Sequence, residues 1–228
     1  NRVTFDFPEG YNKAYALVID PVLVFSTFSG STANTYGFSA TYDLSGNLYA
    51  GGECFNVGWP STTGAFQMAY AGNVDAGLNK YSSTGSTLLY ATYYGGAGMD
   101  LPNNMMANVN EQLVICGTTT STNLPVSTGC YDNSYGGNTD IYIARFSNDG
   151  TQLKAATYLG GSGTDGLNNG GLSPNYGDAN RGEVLTAPNG SIYIAGSSSS
   201  ANFPVTATAL QSGLGGGQDG VVCRLDSN

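Results

Sequence analysis

Residues 88–96 have the sequence Leu-Leu-Tyr-Ala-Thr-Tyr-Tyr-Gly-Gly, and the triplet at their centre occurs three times in the chain. Ala91-Thr92-Tyr93 matches Ser26-Thr27-Phe28 before it and Ala156-Thr157-Tyr158 after it, at a constant step in the numbering (92 − 27 = 65 and 157 − 92 = 65). A glycine-containing turn follows every copy. Self-similarity at a fixed period is the sequence signature of a repeat architecture. The sequence therefore predicts three copies of one structural unit.

Later landmarks keep the same step between the first two copies and then shift together in the third. An apolar residue followed by proline, an aspartate and a basic residue all return at the first interval and then at a longer one (140 − 75 = 65 and 219 − 140 = 79). A single insertion between Gly166 and Arg181 accounts for every shift (79 − 65 = 14), and its Asn, Gly, Ser and Pro content is typical of a loop. The landmarks are Trp59-Pro60, Leu124-Pro125 and Phe203-Pro204; Asp75, Asp140 and Asp219; and Lys80, Arg145 and Arg224.

The repeat divides the chain into four parts. Residues 1–21 are predicted to form a strand pair at the junction with a preceding domain. Residues 22–85 form the first repeat, residues 86–150 the second, and residues 151–228 the third, which contains the inserted loop. Since the sequence starts without Met and stops just after a predicted strand, we expect it to be a piece of a longer polypeptide.

Apolar periodicity within each repeat is that of β-strands. In the second repeat it predicts four strands, at residues 88–94, 104–109, 113–118 and 141–146, with turn residues between them. Four antiparallel strands per repeat indicate the blade of a β-propeller. The predicted fold is all-β, with three four-stranded blades. Propellers close with four to eight blades, so the ring is predicted to be incomplete.

Composition excludes several classes of function. The formal charge is −9 and only seven Lys and Arg residues are present, so the chain lacks the basic surface that nucleic acids require. No apolar run approaches the roughly 20 residues of a membrane helix, so no direct membrane insertion is expected. The chain has no histidine, which removes Ser-His and Cys-His nucleophile systems. We therefore expect a protein that is not an enzyme and needs no cofactor.

Several motifs together resemble the SBBP type of β-propeller repeat over residues 22–226. This resemblance implies a large exported protein of the extracellular or outer-membrane cell surface, of the kind found in Bacteroidetes-type bacteria and often secreted by the type IX system. The motifs are Leu89-Tyr90-Ala91-Thr92-Tyr93-Tyr94-Gly95-Gly96, Gly46-Asn47-Leu48-Tyr49-Ala50-Gly51-Gly52, Asn202-Phe203-Pro204 and the run from Gly137-Asn138-Thr139-Asp140 to Phe146.

The recurring aspartates are predicted to have structural roles. Asp75, Asp140 and Asp219 each precede the last strand of a repeat, where a carboxylate can accept backbone N–H bonds and hold a turn. Asp100 and Asp165 stand at equivalent positions of successive repeats, so turn chemistry accounts for them as well. Calcium binding, at Asp100 and Asp165 above all, is the alternative.

Features that occur only once are the better candidates for recognition. The insertion lies on a long loop, the kind of element that repeat proteins use to bind partners on one face. We predict a ligand or partner site there, while a surface loop with no such task is the alternative. Its candidate residues are Asn175, Tyr176, Asp178, Asn180 and Arg181.

Four cysteines occur at positions that the repeat does not relate, and none forms a Cys-x-x-Cys pair, so a zinc site is not expected. In an exported protein two disulfides can form, with three connectivities open. A Cys116–Cys130 disulfide within the second repeat is the favoured pairing. Buried free thiols are the alternative for all four residues, which include Cys54 and Cys223.

The sequence leaves three functional hypotheses. The first is a structural and interaction module of a large cell-surface protein that serves adhesion or surface machinery. Its partners would be other domains of the same polypeptide, cell-surface or secretion-system proteins, and glycans. The second is a carbohydrate-binding or carbohydrate-active propeller that uses Asp100, Asp165 and the insertion. The third is a secreted passenger bound to the type IX machinery.

Overall fold

A computed structural model of the chain describes residues 10–15, 23–168 and 179–226. Within these ranges the protein forms eleven β-strands and no helix. The strands are β1 (Thr35–Tyr42), β2 (Leu48–Cys54), β3 (Asp75–Tyr81), β4 (Leu88–Tyr94), β5 (Asp100–Ala107), β6 (Leu113–Thr119), β7 (Asp140–Phe146), β8 (Leu153–Leu159), β9 (Glu183–Thr186), β10 (Ile192–Ser198) and β11 (Asp219–Leu225).

The strands form three antiparallel sheets in which sequential neighbours pair. Sheet one has the order β1-β2-β3-β4, sheet two has the order β5-β6-β7-β8, and sheet three has the order β9-β10-β11. Strand β5 contacts both β1 and β9, so the first strands of the three sheets lie side by side and sheet two lies between the other two. The fold is all-β, and its sheets do not close into a ring.

Apolar clusters join neighbouring sheets. Between sheets one and two, the rings of Tyr94 and Tyr142 have centroids 5.4 Å apart, and those of Tyr94 and Phe146 are 5.3 Å apart. Between sheets two and three, Ile143 packs in a cluster of aliphatic side chains with Val184. Fully buried aromatic side chains each bury roughly 150–250 Å², so the contacts between sheets form the core of the protein.

The sheets are offset by one strand from the sequence repeat. Strand β4 begins the second repeat, but it pairs with β3 of the first, with Gly77 opposite Tyr93. Strand β8 begins the third repeat and pairs with β7 of the second. Each four-stranded sheet therefore takes three strands from one repeat and the first strand of the next.

The predicted strands of the second repeat are all present, with one shifted boundary. Strand β5 begins at Asp100, ahead of the predicted start at Asn104, and passes through Pro102. The strand tolerates this proline because the register shifts between Pro102 and Asn104. Proline within a sheet is found at such bulges and at edge strands, where the missing N–H costs no ladder bond. The strand pair predicted for residues 1–21 lies largely outside the described residues.

Across the described ranges we find no helix with the length and apolar character needed to cross a membrane.

Candidate functional site

The aspartate before the last strand of each repeat holds a turn of the preceding loop. In each case Oδ2 accepts the backbone N–H of the residue four positions earlier. The distances are 2.8 Å from Ala71 to Asp75, 2.8 Å from Gly136 to Asp140 and 2.6 Å from Gly215 to Asp219. Asp75 and Asp140 are buried.

Asp100 and Asp165 form a second equivalent set. Oδ2 of Asp100 accepts bonds from the Gly96 N–H and the Ser121 hydroxyl, both at 2.7 Å. Oδ2 of Asp165 accepts the corresponding bonds from Gly161 and Ser200, also at 2.7 Å. Both carboxylates are buried, so neither faces solvent.

A glycine brings one member of each set together with a member of the other. A Cβ atom placed on Gly95 would lie 2.5 Å from Asp75 Oδ1 and 2.9 Å from Asp100 Oδ2. On Gly160, a Cβ would lie 2.4 Å from Asp140 Oδ1 and 2.9 Å from Asp165 Oδ2. The protein therefore contains two buried carboxylate pairs, Asp75 with Asp100 and Asp140 with Asp165, each packed against a glycine.

The pairs have raised pKa values. Burial raises the pKa of Asp75 to about 6; repulsion from Asp100 adds to the increase, and the Ala71 N–H bond opposes it. Burial likewise raises the pKa of Asp140 to about 6, with repulsion from Asp165 as a further contribution. Burial also raises the pKa of Asp100, against hydrogen bonds from Thr119, Gly96 and Ser121.

We expect these raised values to stabilise the fold in acid. A carboxyl whose folded pKa is about 6 binds its proton more tightly than the unfolded chain, where the pKa is 3.8. Its stabilising contribution is full below the unfolded value and is lost as the pH rises through 6. Urea unfolding at pH 4 and pH 7 measures the effect. Relative to Asp75→Asn and Asp140→Asn, the unsubstituted chain should lose roughly 1 to 2 kcal/mol per carboxyl between these values, after allowance for solvent screening.

Asp149 provides the control for this experiment. It is exposed, and hydrogen bonds from Ser147 and Thr151 lower the pKa of its carboxyl. The stability that it contributes is lost as the pH falls, so Asp149→Asn should change the pH slope in the opposite sense. Equal slopes in the unsubstituted chain and the Asp75→Asn variant would show that the pair does not titrate as a unit with folding.

The oxygen atoms of the buried pairs have mainly protein donors. Asp100 accepts hydrogen bonds at both oxygens, since Oδ1 receives the Thr119 hydroxyl. In the described part of the chain, no three residues of the His, Cys, Asp and Glu types gather as metal ligands would. Asp100 and Asp165 therefore contribute to the turns around Gly96 and Gly161 through the contacts that the structure shows.

A polar cleft of about 770 Å³ lies beside the first strands of the three sheets. Its walls carry amide, hydroxyl and charged side chains from β1, β5, β9 and the end of the insertion. The lining includes Phe38, Ser39, Asn103, Asn104, Asn180, Arg181, Glu183 and Asp219. Neither Asp100 nor Asp165 lines it.

A recurring β-bulge directs two residues into the cleft. The register shifts between Gly37 and Ser39 in β1, and between Pro102 and Asn104 in β5. The extra residues are Phe38 and Asn103. Bulges are known to re-aim side chains next to functional sites. Asn103 donates to the Thr118 hydroxyl at 3.0 Å, while its buried Oδ1 has no hydrogen-bond partner among the described residues.

Two of the five insertion residues predicted for recognition, Asn180 and Arg181, line this cleft. Asn180 donates to the buried carboxylate of Glu53 on β2 at 3.3 Å, which ties the end of the insertion to sheet one. The other three, Asn175, Tyr176 and Asp178, lie outside the described residues. The sequence did not reveal Phe38 and Asn103. The signal that could have revealed them is their equivalent position in the repeat, which the difference between Phe and Asn conceals.

Lys80 differs from the solvated strand-end charge expected of it. Its ammonium is buried, lies 2.8 Å from Asp43 Oδ2 and stands 4.7 Å from the centre of the Tyr49 ring. Burial opposes the charge, but the bond to Asp43 outweighs it and raises the pKa of Lys80. Lys80 therefore belongs to the interior of sheet one.

All four cysteines are free thiols in the structure. The predicted Cys116–Cys130 disulfide is not formed, because the two side chains have different surroundings. Cys116 is buried between sheets two and three, whereas the Cys130 thiol donates to the Asp132 carbonyl at 3.3 Å. Burial raises the pKa of Cys116 to about 12, as expected for a thiol that packs as an apolar group.

Comparison with known proteins supports the architecture. A protein-family model described as "Domain of unknown function (DUF5122) beta-propeller" matches residues 128–152. This segment includes β7 and the loop before it, which holds the Asp140 turn. No curated protein matches the chain. The match and the all-β fold together support a β-propeller repeat family.

Proposed function

We propose that the three sheets are blades of an incomplete β-propeller of the SBBP repeat type. In this proposal the chain is a non-enzymatic structural and interaction module of a large exported cell-surface protein, with a role in adhesion or surface machinery. The resemblance of the repeat motifs to exported proteins of Bacteroidetes-type bacteria supports this setting. Partners on the same polypeptide, on the cell surface or in the secretion system fit the same proposal.

The polar cleft is the observation that carries the interaction role. It combines side-chain amides with the opposite charges of Arg181 and Glu183, and it contains the unpartnered oxygen of Asn103. Groups of this kind bind a polar ligand through several hydrogen bonds, and a buried acceptor without a donor favours a ligand that supplies one. Rigid sheets hold the donors and acceptors in place, so little ordering is needed on binding.

Carbohydrate binding is the second candidate, and the same cleft favours it. Glycans present many hydroxyl groups, which match the amides of Asn103, Asn104 and Asn180. A carbohydrate-active version based on Asp100 and Asp165 has less support, because both are buried away from the cleft. The proposal therefore assigns glycan contacts to the cleft.

We expect Arg181→Ala and Glu183→Ala to weaken ligand binding about tenfold or more, the loss usual for a hydrogen bond to a charged group. Calorimetric titration against a panel of oligosaccharides and short peptides measures this affinity. Lys154→Ala is the matched control, because Lys154 is exposed on β8 and does not line the cleft. A ligand that binds both cleft variants as tightly as the unsubstituted chain would remove the cleft from the proposal.

A further inference from the structure

Sheet three lacks the strand that completes the other two sheets. In sheets one and two the outer edges of β3 and β7 pair with β4 and β8. Strand β11 is equivalent to β3 and β7 by the repeat, but no strand of the described chain pairs with its outer edge. Every residue of β3 is buried, whereas β11 alternates between half-buried and exposed side chains, with Val222 at 85% exposure.

The missing strand type occurs elsewhere in the chain. Residues 23–29, Leu-Val-Phe-Ser-Thr-Phe-Ser, stand one repeat before β4 and two repeats before β8, and they belong to no sheet in the described structure. Phe28 is 96% exposed, while its equivalents Tyr93 and Tyr158 are 2% and 1% exposed. The segment therefore has the sequence of a fourth strand but not its burial.

This segment already lies where a fourth strand belongs. In the completed part of the protein, the ring of Tyr90 on β4 covers Gly150 in the β7–β8 turn of sheet two. Phe25, which stands one repeat before Tyr90, covers Gly85 in the β3–β4 turn of sheet one. Residues 23–29 thus contact sheet one as β4 contacts sheet two. A sheet to which they could belong is absent from the described chain on that side of sheet one.

The β11 edge of the same chain lies at the far end of the row of sheets. Sheet two separates sheets one and three, so a single chain has two complementary ends. Sheet three exposes Leu185, Tyr193 and Val222, which are equivalent to Met106, Val114 and Ile143 in the cluster between sheets two and three. The free face of sheet one carries a hollow of about 460 Å³ beside residues 25–29.

We propose that the β11 edge binds residues 23–29 of a second copy of this chain. By the β7–β8 register, Gly220 pairs with the partner copy's Ser29 and Cys223 with its Ser26, in antiparallel orientation. Reciprocal exchange between two copies completes both unfinished sheets and covers both free faces. The product has six sheets, a number within the range of closed propellers. This inference goes beyond the proposed function, because it does not involve the cleft.

The loop before β11 carries the contacts that the incoming strand would meet. In sheet two, the Asp132 N–H donates to the Thr157 hydroxyl at 2.9 Å, and the Asp132 carbonyl accepts the Tyr158 N–H at 3.1 Å. In sheet one, Gln67 contacts Thr92 and Tyr93 in the same way. The equivalent residue before β11 is Gln211, which is exposed. In the dimer, its backbone bonds the incoming Thr27 and Phe28.

The test is the mass of the chain in solution, measured by sedimentation or light scattering. We expect twice the 23.5 kDa of one chain. Phe28→Asp should return the mass to that of a single chain, because the equivalents of Phe28 are buried and cannot carry an unpaired charge. Val24→Asp is the matched control and should leave the dimer intact, since Val24 is equally exposed and its equivalents Leu89 and Lys154 remain exposed. Both changes are at exposed positions, so neither should disturb the fold of one copy.

Cross-linking tests the register. A thiol introduced by Ser26→Cys should form a disulfide with Cys223 of the second copy under mild oxidation, and the covalent dimer should disappear when Cys223→Ser is added. Thr27→Cys places its thiol on the opposite face of the strand and should not form this bond. A single-chain mass at all concentrations, or a dimer that Phe28→Asp does not affect, would overturn the proposal. A cross-link that does not depend on Cys223 would contradict the register.

Discussion

Gly160→Ala should lower the free energy of unfolding by about 3 kcal/mol or more, the upper range for forcing an atom into a packed interior. The added Cβ would lie 2.4 Å from Asp140 Oδ1 and 2.7 Å from Asp140 Cγ, so one carboxyl group must move. Movement breaks the bond from the Gly136 N–H, which is the contact that holds the turn before β7. Urea unfolding of the two proteins measures the difference.

The repeat supplies a second test site, and an exposed glycine supplies the control. Gly95→Ala meets Asp75 and Asp100 in the same arrangement and should be similarly destabilising. Gly217 has no atom within 4 Å of its added Cβ, so Gly217→Ala should leave stability nearly unchanged. If Gly160→Ala unfolded at the same urea concentration as Gly217→Ala, the carboxylate pair would not be packed as the structure shows.

Lys80→Met should destabilise the protein by roughly 3 to 5 kcal/mol, the usual cost of removing one partner from a buried ion pair. The methionine fills a similar volume but leaves the Asp43 carboxylate buried without its cation. Asp43 would retain hydrogen bonds from Asn47, which do not neutralise its charge. Thermal or urea unfolding measures the loss.

A double-mutant cycle separates the charge effect from lost packing. Adding Asp43→Asn to Lys80→Met should recover much of the stability, because no buried charge then remains. Sheet two supports this choice, since Asn108 is the equivalent of Asp43 and accepts backbone N–H bonds from Asn110 and Gln112. Lys154→Met at an exposed site should be nearly neutral. If the double variant were no more stable than Lys80→Met alone, lost packing would be the cause.

The strands could be predicted from the sequence because their signals are local. Alternating apolar residues predicted β4 at its observed bounds, and β6 and β7 to within one residue. Sheet membership was different, because periodicity says which residues form a strand but not which strand lies beside it. The sequence repeat begins at residues 88–94, yet hydrogen bonds place that strand in the sheet before.

The candidate site was harder to predict because its residues are distant in sequence. Asp75 and Asp100 meet through Gly95, and no local pattern connects them. The cleft depends on two bulges, which require the register of the neighbouring strands. Lys80 was expected in solvent because a basic residue at a strand end is usually exposed, and only the position of Asp43 explains its burial. Asn180 and Arg181 were found because an insertion in one repeat is visible without a structure.

The one-strand offset between repeat and sheet also links the mechanical behaviour of neighbouring sheets. Strand β4 is hydrogen-bonded to sheet one, yet its backbone leads directly into β5 of sheet two. Force applied along the chain must therefore shear β4 from β3 before the connection between the two sheets can lengthen. A tether assembled in this way resists stretching by the shear strength of a sheet, and not by the weaker contacts of a flexible linker.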